Sequence, residues 1–141
     1  MNGRPTGATT LTVADIMTLD PVVIRSDAPL EEAARLMRDR RISGLPVVDG
    51  FDRLVGVISR TDILDDGSAS LAFLLRRRPT GLRVGELMTS PAVTTSLSAS
   101  LAEAARLMRD NRIHRVVAVD DAGRPVGVLA ASDFVALYAD G

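Results

Sequence analysis

The chain has no cysteine, no lysine and no tryptophan among its 141 residues. Without cysteine there are no disulfides, thiol nucleophiles or thiolate metal sites. Without lysine there is no Schiff-base or lysine-base chemistry, and all 17 basic residues are arginine. An all-arginine complement follows more readily from a GC-rich genome than from selective recognition of phosphate or carboxylate. Aromatic residues make up 3% of the chain, and only Phe51, Phe73, Phe134 and Tyr138 are present to stack on bases. The formal net charge of −1 provides no bulk field for nucleic acid or a membrane surface. No apolar run approaches the ~18 residues of a membrane span, and the N-terminus has no signal-peptide core. The expectation is a cytoplasmic protein with no nucleic-acid and no membrane partner. A single histidine leaves little for a metal site, and none is expected.

What the chain does have is a repeat. The run from Glu32 to Asp39 returns from Glu103 to Asp110, a shift of 71 positions, and Ala33–Leu64 matches Ala104–Val135 at 16 of 32 positions without a gap. A tandem repeat sets the architecture before any other feature. A chain of this length buries roughly 68–70% of its unfolded surface, whereas each copy alone would be marginal. The two copies are therefore expected to pack together, related by a pseudo-twofold axis, with paired clefts between them.

Each copy reads β-α-β-β-α, an α/β (α+β) pattern. In copy one Val22–Ile24 reads as a short strand entered through Pro21. Leu30–Arg40 carries Leu30, Ala33, Ala34 and Met37 at the i, i+3, i+4, i+7 spacing of an amphipathic helix. Strands Leu45–Val48 and Leu54–Ile58 flank an Asp49-Gly50 turn, and Thr61–Leu64 opens a second helix. Copy two gives Ala92–Thr94, Leu101–Asn111 behind a Ser100-x-x-Glu103 capping box, Val116–Val119, Val126–Leu129 and a helix over Ser132–Ala139. The expected organisation is a tail (1–12), one short helical turn at Val13–Met17 opening copy one (13–64), a linker with a short helix over Leu71–Arg78 (65–83), and copy two (84–139). The Arg76-Arg77-Arg78 end of that linker helix suits the helix macrodipole.

The strongest local chemical signal is Gly56-Val57-Ile58-Ser59-Arg60-Thr61-Asp62, where a strand feeds a helix. Glycine admits a ligand or another backbone at close range. The hydroxyls and helix-start N–H groups suit phosphate, and a carboxylate such as Asp62 can take both hydroxyls of a ribose. Ser59-x-x-Asp62 is equally a near capping box that stabilises the helix by ~0.5–2 kcal/mol with no ligand at all. Both readings stand on these residues alone. Copy two has Ala130 in place of Ser59 but keeps Ser132 and Asp133, while Ser43-Gly44 of copy one becomes His114-Arg115.

These residues together resemble a tandem pair of CBS domains. The resemblance rests on Asp15-Ile16-Met17-Thr18-x-x-Pro21, Ala33-Ala34-x-Leu36-Met37, Ile42-x-x-Leu45-Pro46-Val47-Val48-Asp49 and the closing Gly56-x-x-Ser59-x-x-Asp62, with their copy-two equivalents. It implies a regulatory module that binds adenine nucleotides (AMP, ADP or ATP), requires no catalytic cofactor and often forms dimers of pairs. In a main cleft, Ser59 would hold phosphate and Asp62 ribose. Val22 and Ile42 would sandwich the adenine, with backbone groups of Thr18 and Ser43 at its edge. The Ile-His-Arg run resembles the γ subunits of AMP-activated kinases, which implies that His114 and Arg115 complete this cleft. A second cleft with Ser132 and Asp133 lacks the phosphate hydroxyl and the basic pair. It is expected to be weaker, since a charge-assisted partner contributes ~1.5–3 kcal/mol.

The other function classes are thinner. Ser59, His114 and Asp62 offer triad residue types, but there is no G-x-S-x-G elbow, so no enzyme is expected. A ligand-free interaction or dimerisation module is the alternative, supported by Ala130 and by the capping account of Ser59-x-x-Asp62. No effector domain is expected to be fused to the pair, so the signal is expected to pass to a separate protein target or through a homodimer.

Overall fold

The computed structural model describes residues 11–65 and 81–140. The linker helix read over Leu71–Arg78 and most of the N-terminal tail lie outside the described residues. In chain order the elements are α1 (Val13–Ile16), β1 (Thr18–Leu19), β2 (Ile24–Arg25), α2 (Leu30–Arg40), β3 (Gly44–Val48), β4 (Leu54–Ser59) and α3 (Arg60–Asp65). Copy two follows with α4 (Val84–Leu87), β5 (Thr94–Thr95), α5 (Leu101–Asn111), β6 (Arg115–Val119), β7 (Pro125–Ala130) and α6 (Ala131–Asp140). The fold is α+β.

The long helices α2 and α5 begin and end where the apolar stripe does. At the start of α5, Ser100 N–H donates to Glu103 Oε1 and Glu103 N–H donates to Ser100 Oγ, both at 3.1 Å. This reciprocal box satisfies two donors that the first helical turn leaves open. The Ser100 backbone N–H also holds the Glu103 carboxyl below its ordinary range. Both helices stop on an arginine in the left-handed region, Arg41 and Arg112, each at φ 55°. The N–H of each folds back onto the last turn, as in a left-handed C-cap.

The short first strand of each copy is displaced from its sequence reading: the paired residues are Ile24–Arg25 rather than Val22–Ile24, and Thr94–Thr95 rather than Ala92–Thr94. The ladder decides this. Ile24 lies parallel to Val47, and Thr94 to Val117. Proline and the residues next to it contribute little to a ladder, so pairing begins downstream of Pro21 and Pro91.

The compact units do not coincide with the sequence copies. Pro21–Ala92 forms one unit, and residues through Asp20 join those from Val93 onward in the other. Each unit is thus built on one copy's helix and hairpin and borrows the entry segment of the other copy. In the Pro21–Ala92 unit the sheet runs β2-β3-β4, with β2 parallel and β4 antiparallel to β3. The borrowed Thr89 bridges Val57 on the free side of β4. In the other unit the sheet runs β1-β7-β6-β5, and the borrowed β1 pairs with β7.

Burial follows the same exchange. Leu30, Met37, Leu45, Ile58 and Ile63 form the core of the Pro21–Ala92 unit, and Val84 of the borrowed α4 joins them at 0% exposure. In the other unit Leu101, Met108, Val116 and Leu129 surround Val13 of the borrowed α1, also at 0%. Backbone bonds tie the segments down: Val84 N–H donates to Ala28 O at 3.0 Å, and Val13 N–H to Ala99 O at 2.9 Å.

Candidate functional site

The glycine inside each closing strand makes room for the borrowed segment that packs on it. A Cβ on Gly56 would lie 2.7 Å from the Thr89 carbonyl oxygen and 2.8 Å from Met88 Sδ. On Gly127 it would run into Met17. Glycine therefore lets the borrowed segment lie flat on β4 in one unit and on β7 in the other. Of the two readings of this glycine, ligand or backbone, the structure supplies the backbone.

Downstream of Gly56, β4 turns into α3 with Ser59 as N-cap and Asp62 at the third helical position. Asp62 N–H donates to Ser59 Oγ at 3.2 Å, and Ser59 N–H donates to Asp62 Oδ2 at 2.9 Å. Ser59 Oγ and Asp62 Oδ2 are also 3.1 Å apart. The capping box is therefore complete. The second carboxylate oxygen is occupied as well, since Thr89 Oγ1 donates to Asp62 Oδ1 at 2.9 Å. Asp62 is half-buried while Thr89 is exposed, so the pair sits at the rim of the unit.

Val22 and Ile42 are partly buried and pack against the core of this same unit. Ser43 precedes β3, and its carbonyl accepts Arg60 N–H at 3.0 Å, which anchors the start of α3 to the start of β3. Gly44 stands opposite Ser59 in the ladder. Val22, Ile42, Ser43, Ser59 and Asp62 are thus brought into one unit.

The equivalent turn in the other unit is half as well capped. Ala130 N–H donates to Asp133 Oδ2 at 2.7 Å, but Ala130 has no hydroxyl to receive the Asp133 N–H. Across the ladder Arg115 stands opposite Ala130, where the first unit has Gly44 opposite Ser59. Directly paired residues project to the same sheet face. A small residue thus faces a hydroxyl in one unit, and a long cation faces a methyl in the other. Arg115 is half-buried, and burial pulls its guanidinium below the ordinary value, although it stays protonated at neutral pH. His114 is exposed, and its carbonyl accepts Ala131 N–H at 2.7 Å, as Ser43 does for Arg60.

Thr18 is placed with this second group. It pairs with Val128 on β7, in the unit that holds His114, Arg115, Ser132 and Asp133. The residue that takes the matching position beside Asp62 is Thr89, 71 positions later. The repeat itself carried the signal for Thr89, but only the exchange of entry segments shows that Thr89, not Thr18, meets Asp62. A shallow groove of about 430 Å³ lies along α5 and β5, lined by Thr94, Ser96, Glu103 and Arg106 among others, and includes none of the expected site residues. Among the described residues no group of histidine, aspartate and glutamate is arranged to hold a metal ion. No helix among them is long and apolar enough to cross a membrane.

A strand-turn-helix unit made twice, each closed by a carboxylate at the same turn, defines a class of tandem repeat module, and comparison with known proteins places it. The CBS domain model matches residues 13–68 and 84–140, and the chain belongs to the CBS domain family. The chain is similar to CBSX2 from Arabidopsis thaliana, at 30% identity and a TM-score of 0.80, with 94% of this chain and 96% of that one covered. A structure of CBSX2 in complex with AMP is matched at 32% identity and a TM-score of 0.77, covering 92% and 96% of the two chains. The CBS domain pair of protein MJ0100, in complex with 5'-methylthioadenosine and S-adenosyl-L-methionine, is matched at 28% identity and a TM-score of 0.76, covering 91% and 99%. Among curated proteins, inosine-5'-monophosphate dehydrogenase of Mycobacterium tuberculosis is 36% identical over 120 residues. That match takes in 84% of this chain but only 21% of the dehydrogenase, so the chain spans about a fifth of that relative's length.

Proposed function

We propose that the chain is a non-catalytic regulatory module that binds an adenine nucleotide. The observation that carries this reading is the grouping of Val22, Ile42, Ser43, Ser59 and Asp62 in one unit, together with solved relatives that hold AMP, 5'-methylthioadenosine or S-adenosyl-L-methionine. In this reading Val22 and Ile42 offer apolar surface to the adenine, and the Ser43 N–H lies at its edge. The Ser59 hydroxyl faces phosphate and Asp62 takes the ribose hydroxyls. Ser132 and Asp133 are the corresponding pair in the other unit. His114 and Arg115, which the resemblance assigned to the Asp62 cleft, lie in the unit of Asp133, and there Arg115, opposite Ala130, supplies a charge in place of the missing hydroxyl, with exposed His114 beside it.

The complete capping box at Ser59 and Asp62 favours a second reading, a ligand-free interaction module. Thermal unfolding of the purified protein separates the two. A nucleotide that binds only the folded state stabilises it by about 2.7 kcal/mol at a hundred times its dissociation constant. The nucleotide reading expects AMP, ADP or ATP at millimolar concentration to raise the melting temperature by several degrees. No shift with any of the three would sink it and leave the interaction module.

A further inference from the structure

Asp62 and Asp133 occupy equivalent positions, yet they differ in what already holds them. At Asp62 both oxygens are engaged: Oδ2 accepts Ser59 N–H at 2.9 Å, and Oδ1 accepts the Thr89 hydroxyl at 2.9 Å. At Asp133 the described bond is the single one from Ala130 N–H, to Oδ2. Thr18, the counterpart of Thr89, lies on β1 in that unit and makes no corresponding bond to Asp133 among the described residues. The same two residue types therefore form a closed pair in one unit and an open one in the other.

The Thr89 backbone is tied to β4 through both its N–H and its carbonyl. Val57 N–H donates to Thr89 O at 3.0 Å, Thr89 N–H donates to Val57 O at 2.8 Å, and Gly56 leaves the segment in van der Waals contact with the strand. The hydroxyl is held at Asp62 Oδ1, and only rotation of the Thr89 side chain can release it. A carboxylate oxygen that takes a ribose hydroxyl is the same acceptor that Thr89 now uses. We propose that the Thr89 hydroxyl is a built-in competitor for the Asp62 carboxylate: it fills one of the two acceptor positions on Oδ1, and a ribose hydroxyl that takes that position must displace it. This rests on the nucleotide reading above. Removing the hydroxyl then tightens ligand binding, whereas loss of a merely structural bond would leave affinity unchanged or weaken it.

The test is calorimetric titration with AMP in an Asp133→Asn background, which isolates the Asp62 unit. Adding Thr89→Val removes the donor and keeps the side-chain shape. One hydrogen bond of ordinary net strength corresponds to a gain of roughly three- to tenfold in affinity. Thr89→Ser, which keeps the hydroxyl, should bind as the parent does, and Thr89→Ala provides the same donor loss if the valine variant folds poorly. Binding by the parent with no gain in the valine or alanine variants overturns the competitor and leaves the nucleotide reading intact. Binding by none of these proteins overturns both.

Discussion

At the scale of single residues, the two turns that close the units form a natural comparison. Ser59 supplies the hydroxyl that receives the Asp62 N–H at 3.2 Å, and Ala130 supplies none. Ala130→Ser should therefore complete the cap on α6 and raise stability by about 0.5–1 kcal/mol, read as a higher urea midpoint. An unchanged midpoint would mean that the missing hydroxyl at position 130 costs α6 nothing. Equivalent aspartates also shape the hairpin turns. Asp49 Oδ1 accepts the N–H groups of Arg53 and Phe51, and Asp120 Oδ1 those of Arg124 and Ala122. These bonds, with the Arg53 and Arg124 N–H groups first among them, hold both carboxyls below their ordinary range. A depressed folded-state pKa gives stability that is present above the unfolded value, about 3.9, and lost as pH falls through the folded one. Urea midpoints should therefore drop between pH 5 and pH 3, and the drop should shrink in an Asp49→Asn, Asp120→Asn double variant, where the acceptor oxygens remain but no longer titrate. Equal acid sensitivity in the two proteins would assign the loss to other carboxyls.

At the scale of elements, what the sequence reveals depends on how local the cause is. Leu30–Arg40 and Leu101–Asn111 are legible to the residue because their apolar stripe and caps lie inside the segment. The hairpin strands are legible to within a residue, since alternation and the Asp-Gly turn signals are also local. The first strand of each copy is misplaced by one to two residues because its two paired positions are set by a partner outside the segment, Val47 for Ile24 and Val117 for Thr94. The entry helices are the other non-local case. Nothing in α1 or α4 says which copy each will pack on, since the two copies present nearly the same surface. Their valines are the anchors, both at 0% exposure. Val84→Ala should destabilise the Pro21–Ala92 unit by about 2–3 kcal/mol from lost burial and the cavity left behind. Hydrogen exchange should show the effect in β4 and α2 of that unit. Faster exchange centred on α5 and β7 instead would contradict the exchange of segments.

At the scale of the whole molecule, the exchange changes which residues can act together. The resemblance to CBS pairs groups Thr18 with Asp62 in one cleft. In the folded chain Thr89 is the threonine at Asp62, and Thr18 belongs to the Asp133 unit. The rest of the Asp62 group was legible from the closing motif and from the resemblance to CBS pairs. Its other candidate members, Val22, Ile42, Ser43 and Ser59, lie in the same unit as Asp62, because they sit after the exchanged segment and within one copy. The repeat thus marks two units of one design, and the differences between them lie at the turns: a complete cap with a tied carboxylate in one, a half cap facing an arginine in the other. The measurement that tests this account most directly is calorimetric titration of AMP into the wild-type protein and into Asp62→Asn. The variant keeps an acceptor for Ser59 N–H but loses the charge that the ribose needs. The account expects the wild-type protein to bind AMP and the variant to lose the site in the Pro21–Ala92 unit, seen as a reduced stoichiometry. Unchanged stoichiometry and affinity in the variant, or no AMP binding by the wild type at millimolar concentration, would contradict it.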